Sequence, residues 1–243
     1  MIPGLTSHKW VKEHKETWGE DNPIFRARVL GEFPDQADDT LIRLSDIEAV
    51  VQGTAPDAEV PEAGLTEEEV VLSVDVARFG SDRSVILRRW RRSVEEIRTF
   101  HDMDTMHLAG WVIAAIKDWQ PDRVCVDEIG VGAGAVDRLR DQGYRVKGIN
   151  VARHAGQEGL FANLQAEGHW RLRELFSSGN IRIPADNHLM GELAALRYSY
   201  DSQGRIQMES KDSMRQRGLP SPDKADALML AFLQPPGRMK LWT

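Results

Sequence analysis

Three groups of acidic residues stand where strands or a helix are expected to start or stop. Asp75 follows the apolar run 70–74, Asp127 and Glu128 follow 123–126, and Asp223 and Asp226 open a short apolar helix. An ionised carboxylate at the end of a buried strand is costly without a cation. Residues three apart in a helix share a face, so Asp223 and Asp226 can act together. Strand ends and a helix start can converge on one point in a mixed sheet. Oxygen ligands of this kind suit hard cations such as Mg²⁺ or Mn²⁺. Two such ions, about 3.5–4 Å apart, activate water and stabilise the leaving oxygen in phosphodiester cleavage. On the 70–82 stretch alone a turn cap at Asp75 and a solvated Asp82 account for the residues equally well.

The elements that must position these groups are read from pattern. Residues 70–75, 83–89 and 94–100 form three strands joined by short polar turns, with 78–83 as a hairpin connection. The basic run 88–92 (RRWRR) reads as a solvated hairpin tip. A helix at 104–118 buries Leu108, Trp111, Val112, Ala115 and Ile116. Strand 123–127, a helix over 133–142 and a strand at 144–149 follow, then helices at 162–177 and 187–196, a hairpin 197–200/205–209, and a last helix at 223–233 with Pro222 in its first turn. The order predicts an α/β fold: three antiparallel strands followed by parallel crossover strands, flanked by helices.

Residues 1–69 differ in character. They hold 6 Lys/Arg against 16 Asp/Glu, net −10 of the chain's −7, so 70–243 is mildly basic. That balance permits a polyanionic substrate. Short helices are expected at 7–18, 24–30 and 40–52, the last with Ser45 as cap, and 53–69 reads as a Pro/Gly/Glu-rich linker. The chain divides into an acidic helical connector, 1–69, and a main domain, 70–243. No apolar run is long enough to span a membrane, and no signal peptide is apparent. The one cysteine, Cys125, reads as a small core residue, which points weakly to a cytosolic setting. The histidines, His169 among them, show no zinc pattern and read as structural or exposed. Trp10, Trp111, Trp119 and Trp170 read as core or interface.

VVLSVDVARFGSD, VCVDEIGVGAG and SPDKADALMLAF, in that order, resemble the C-terminal nuclease domain of bacteriophage large terminase subunits. ESKDSMRQRG and the leader's NPIFRARVLGEFP fit the same family. The resemblance implies a ribonuclease-H-like fold and a metal-dependent endonuclease that cuts concatemeric double-stranded viral DNA during packaging. It implies Asp75, Asp127 and Asp223 as catalytic metal ligands, with Asp82, Asp226 and Glu128 as further candidates and two Mg²⁺ or Mn²⁺ ions. Many relatives carry adjacent acidic residues where this chain has Pro222-Asp223, which leaves open whether Asp223 alone serves or Asp226 assists. It also implies an N-terminal ATPase motor, whose GxxxxGK[ST] loop is not in this chain, a small terminase subunit and portal protein as partners, and the host cytoplasm as the setting.

Arg78, Arg83 and Lys211 are candidate DNA contacts, and Lys211 a candidate for orienting an acidic ligand. Ordinary ion pairing or solvation is the alternative for each. The 130–134 segment reads as a tight strand-to-helix turn. Competing functions are a junction resolvase or transposase of the same fold, an actin-like or sugar-kinase ATPase half, and a non-catalytic portal-docking module.

Overall fold

The computed structural model describes residues 8–20, 22–31, 39–54, 69–77 and 82–233. Arg78, Gly80 and residues 55–68 of the linker expected at 53–69 lie outside them. Five strands form the central sheet: β1 (Val70–Asp75), β2 (Ser84–Trp90), β3 (Ser93–Phe100), β4 (Arg123–Asp127) and β5 (Lys147–Ile149), in the order β3-β2-β1-β4-β5. The first three pair antiparallel, whereas β4 and β5 run parallel to β1. This is the mixed sheet expected of a ribonuclease-H-like fold. A separate two-stranded hairpin joins β6 (Tyr198–Tyr200) to β7 (Ile206–Met208).

Helices cover both faces, which is why β1 and β4 are apolar almost throughout. Leu72 and Val74 of β1 and Val124 and Val126 of β4 pack under α4 (Thr105–Trp119) and α5 (Gly132–Asp141). Cys125 and Ile149 face the other side, toward α6 (Leu164–Ser177), α7 (Asn187–Ala195) and α9 (Asp223–Phe232). Ser73 is buried on that side, where its hydroxyl donates to the Ala227 carbonyl at 2.7 Å and pins α9 to β1. Successive strand side chains alternate in direction. Asp75 and Asp127 therefore share the α9 face, and Glu128 falls on the other.

The leader contributes α1 (His8–Trp18), α2 (Pro23–Phe25), a π-helical turn at Arg26–Leu30 and α3 (Leu44–Gln52). Phe25, Leu41, Ile42, Ile47 and Val50 belong to the same core as α6, α7 and α9. The third leader helix starts four residues later than expected, because residues 40–42 are drawn out by a bridge from Thr40 to Arg197 and by burial of Leu41 and Ile42. Ser45 is not its cap: Arg43 occupies that position without a side-chain cap bond.

The 88–92 reading needs correction. Arg91 and Arg92 do form the turn, but Arg89 is fully buried. It sits on the same strand face as Val85 and Leu87, so its guanidinium enters the core, 5.0 Å over the Phe232 ring.

One backbone approach is decisive for the site. α5 begins directly over the end of β4, and a Cβ on Gly132 would lie 1.9 Å from the Asp127 carbonyl oxygen. Backbone cannot yield there as a side chain can. Gly132→Ala is expected to destabilise the domain by about 1–3 kcal/mol through overpacking and to move Asp127. Thermal melts of this variant beside Gly134→Ala, whose Cβ would meet nothing within 4 Å, check it: equal melting temperatures would refute the constraint.

Candidate functional site

Asp75 and Asp127 end neighbouring parallel strands, one residue beyond the pair Val74 and Val126. The first turn of α9 brings Asp223 and Asp226 to the same end of the sheet, and all of Asp75, Asp223 and Asp226 are buried. A helix that sequence pattern does not predict, α8 (Lys211–Gln216), supplies the cation. Ser210 caps it by accepting the Ser213 N–H, and a Glu209–Arg217 ion pair closes the segment. Lys211 opens this helix with its Nζ 3.1 Å from Asp226 Oδ2 and 3.6 Å from Asp223 Oδ1.

Crowding of like charge sets the electrostatics. Burial, then the neighbouring Asp226 carboxylate, push Asp75 well above the usual carboxylate range, and Lys211 only partly offsets them. Burial raises Asp127 to about 6, against the Ile129 N–H that its Oδ1 accepts at 3.0 Å. Burial also raises Asp223, despite Lys211 and an N–H bond from Arg83 at 2.7 Å. Burial works against the charge on Lys211, but the carboxylates of Asp226, Asp75 and Asp223 outweigh it and hold the ammonium above the usual lysine range.

Asp75, Asp82, Lys211 and Asp223 face an open cleft of about 440 Å³, whose other wall is the 129–131 turn. Asp82 is paired there with Arg215 at 3.2 Å. Arg83 takes part through its backbone, while its guanidinium turns to His188, 3.5 Å away, in a small cavity behind Asp223. Glu128 is directed off the cleft, across Gly148 and 3.7 Å from Arg153. Arg78 lies outside the described residues.

Sequence reasoning did not single out the groups that brace α9. Lys224, between the two aspartates, is buried and pairs with Asp186. Glu192 accepts the Ala225 N–H at 2.9 Å. His169 is fully buried, its Nε2 3.5 Å from Asp226 Oδ1. The signal available for His169 is its neighbour Gly168, because a glycine inside a helix usually marks close packing.

Among the described residues no three acidic or histidine groups already stand at ligating separation. The donor chemistry nevertheless fits a hard cation. Asp223 Oδ1 and Asp226 Oδ1 are buried with no hydrogen-bond partner, and the carboxylates outnumber the single ammonium among them. Buried unpaired carboxylate oxygens are costly and call for positive charge.

No family model matches the chain. A probable terminase large subunit of Enterobacteria phage P7 is 27% identical over 241 residues, covering 90% of this chain and 46% of that protein, so the chain spans about half the length of this curated relative. The nuclease domain of the large terminase subunit gp2 of bacterial virus Sf6, solved as a lysine-to-alanine variant with manganese and β-thujaplicinol, superposes with a TM-score of 0.67 at 19% identity, over 81% of this chain and 99% of that one. The large terminase nuclease from thermophilic phage G20c with bound magnesium superposes with a TM-score of 0.60 at 18% identity, over 82% and 98%. In sequence this chain resembles a phage terminase large subunit, and in fold the nuclease domains of such subunits.

Proposed function

We propose that this cleft is the metal-dependent endonuclease centre of a terminase large subunit, cutting concatemeric double-stranded viral DNA during genome packaging. The observation that carries the reading is the convergence of four buried or half-buried aspartates, from two strand ends and one helix start, around a single lysine in an open cleft. Asp75, Asp127 and Asp223 would hold the metal, with Asp226 as the fourth carboxylate. Two Mg²⁺ or Mn²⁺ ions, when bound, supply an activated water and charge stabilisation at the leaving oxygen.

The chain's own residues do the rest. Lys211 keeps a full positive charge at the carboxylates and can meet a phosphate oxygen from the cleft wall. The Ile129 N–H fixes the Asp127 carboxylate, and the Arg83 N–H fixes Asp223. Asp82 and Arg215 form a polar pair on the rim, and Arg78 is the proposed backbone-phosphate contact, since the Arg83 guanidinium is turned to His188 behind Asp223. Among the described residues no helix is long and apolar enough to cross a membrane, in keeping with action on DNA in the host cytoplasm. Residues 1–69 are proposed to join this domain, 70–243, to an N-terminal ATPase motor, with the small terminase subunit and portal protein as partners.

The test is nicking of supercoiled plasmid with Mn²⁺, Mg²⁺ or EDTA, read across pH together with calorimetric Mn²⁺ titration. Metal must displace any proton held by the ligand carboxylates. Asp127 titrates near 6 and Asp75 is raised as well, so affinity is expected to rise with pH through 6. Below that point it should fall about tenfold per unit for each proton displaced. Absence of Mn²⁺ binding and of nicking at pH 8 would overturn the proposal, and preference for four-way junctions over linear duplex would redirect it to a resolvase.

A further inference from the structure

α9 carries Asp223 and Asp226 in its first turn, and that turn has no cap of its own. Pro222 stands at the N-cap with no side-chain acceptor. The first bond inside the helix runs from the Asp226 N–H to the Pro222 carbonyl at 2.8 Å. The N–H groups of Asp223, Lys224 and Ala225 therefore have no partner within α9. α7 supplies an acceptor instead. Glu192 Oε2 accepts the Ala225 N–H at 2.9 Å, between Asp223 and Asp226. Asp186, which caps α7, takes the Lys224 ammonium beside it. One helix thus grips the aspartate-bearing turn twice, once by its backbone and once by a side chain.

The residue before Glu192 is held from the leader. Asn22, between α1 and α2, is 2% exposed, and its Nδ2 donates to the Gly191 carbonyl at 2.9 Å. Gly19 lies against the connection from α8 to α9: at φ +81° a Cβ there would fall 2.7 Å from the Gly218 carbonyl oxygen. Asn22, Gly191, Glu192 and Asp223 line the same small cavity. The leader reaches the back of Asp223, although sequence places the two at opposite ends of the chain.

We propose that Glu192 is a positioning residue for Asp223 and Asp226, capping α9 from the neighbouring helix, and that Asn22 of the leader holds Glu192 in place. The candidate metal centre then extends outside 70–243, with Gly19 and Asn22 as part of its support. A cap of this kind acts through reach rather than charge: the acceptor oxygen must arrive at Ala225, whether the side chain is an acid or an amide. Its bearing on metal affinity rests on the metal-centre reading above. Outer partners that orient ligands typically change metal affinity about 10–100-fold when removed.

Two variants separate reach from charge, and both keep a polar side chain at the position. Glu192→Gln keeps the acceptor oxygen and gives up the acid, whereas Glu192→Asp keeps the acid and falls one methylene short of Ala225. Without metal, amide hydrogen exchange at Ala225 is expected to speed up about tenfold in Glu192→Asp and to stay within about threefold of the parent in Glu192→Gln. Calorimetry with Mn²⁺ should show the same order, with binding about tenfold weaker in Glu192→Asp and within about threefold of the parent in Glu192→Gln. Asn22→Leu, which leaves Glu192 intact, should move both readouts in the direction of Glu192→Asp. Parent-like exchange in Glu192→Asp overturns the cap. Equal Mn²⁺ affinity in the two Glu192 variants overturns the positioning role, and parent-like values in Asn22→Leu overturn the leader's part in it. Failure of the parent itself to bind Mn²⁺ would count against the metal centre, and exchange at Ala225 would still decide whether Glu192 caps α9.

Discussion

Asp75→Asn is expected to abolish metal-dependent nicking and, in the same protein, to raise the melting temperature. The two effects share one cause. Asp75 is 5% exposed, and burial together with the charges of Asp226, Asp223 and Asp127 raises its carboxyl far above its ordinary range. A group whose folded pKa is raised binds its proton more tightly in the native state. Its stabilising contribution is complete below the unfolded pKa and is lost as pH rises through the folded one. More of that contribution is therefore lost at pH 8 than at pH 5, and the neutral amide removes this loss. A gain of about 1 kcal/mol would raise the melting temperature of a domain this size by about 2–4 °C. Activity moves the other way. Metal-assisted charge stabilisation supplies several kcal/mol to the transition state, so its loss costs about 10³-fold or more in rate. Calorimetric melts at pH 5 and pH 8 without metal, beside plasmid nicking with Mn²⁺, read both. The stabilisation should be larger at pH 8. A variant that is less stable than the parent at both pH values would show that Asp75 is a structural ion-pair partner of Lys211. Retained nicking would remove Asp75 from the site.

How much of this was legible in the sequence depends on whether a feature is local. Asp75, Asp127, Asp223 and Asp226 could be picked out because each follows or opens an apolar run whose length identifies a strand or helix. The order of β1 to β5 followed from the same runs. The four aspartates come together through strand parity, parallel pairing of β1 with β4, and the Ser73–Ala227 bond. Only the last two needed the structure, since alternation already separates Asp127 from Glu128. α8 escaped notice because five polar residues around a single methionine show no period, and Ser210 with Ser213 is a weak cap signal. His169 escaped because its burial is made by another element: α9 approaches α6 at Gly168, and nothing in the local pattern of α6 says which helix will arrive there. Arg89 was misread for a related reason. A run of arginines around a tryptophan looks like a solvated tip, but β2 alternates, and alternation takes every second residue inward whatever its charge.

The inward Arg89 carries the other large expected effect. Glu69 accepts from Arg89 Nη2 at 2.8 Å and from Arg123 Nη2 at 3.4 Å, and its other oxygen lies 3.2 Å from Arg123 Nε as an ion pair. Arg89 Nε donates to the Ala231 carbonyl and Arg123 Nη1 to that of Leu233, both at 2.9 Å. Two guanidiniums thus cap the C-terminal end of α9, where carbonyls lack helical partners, and one carboxylate pairs with both. Burial already lowers the Arg89 pKa, with Glu69 opposing it. Removing only the acid leaves a guanidinium that has no solvent access and no counter-charge. Glu69→Ala is therefore expected to cost about 3–5 kcal/mol, as for other buried pairs broken on one side. Replacing both members by apolar residues, Glu69→Leu with Arg89→Met, should recover most of that loss, because desolvation then disappears with the charge. Urea denaturation of the two variants measures both values, and a Glu69→Ala loss below about 1 kcal/mol would show that water or another group reaches Arg89. The consequence reaches the cleft. α9 is 10 residues long, about 15 Å, with the arginine cap at one end and Asp223 and Asp226 at the other. Loosening the cap should weaken Mn²⁺ binding without altering any ligand, and the double replacement should restore it.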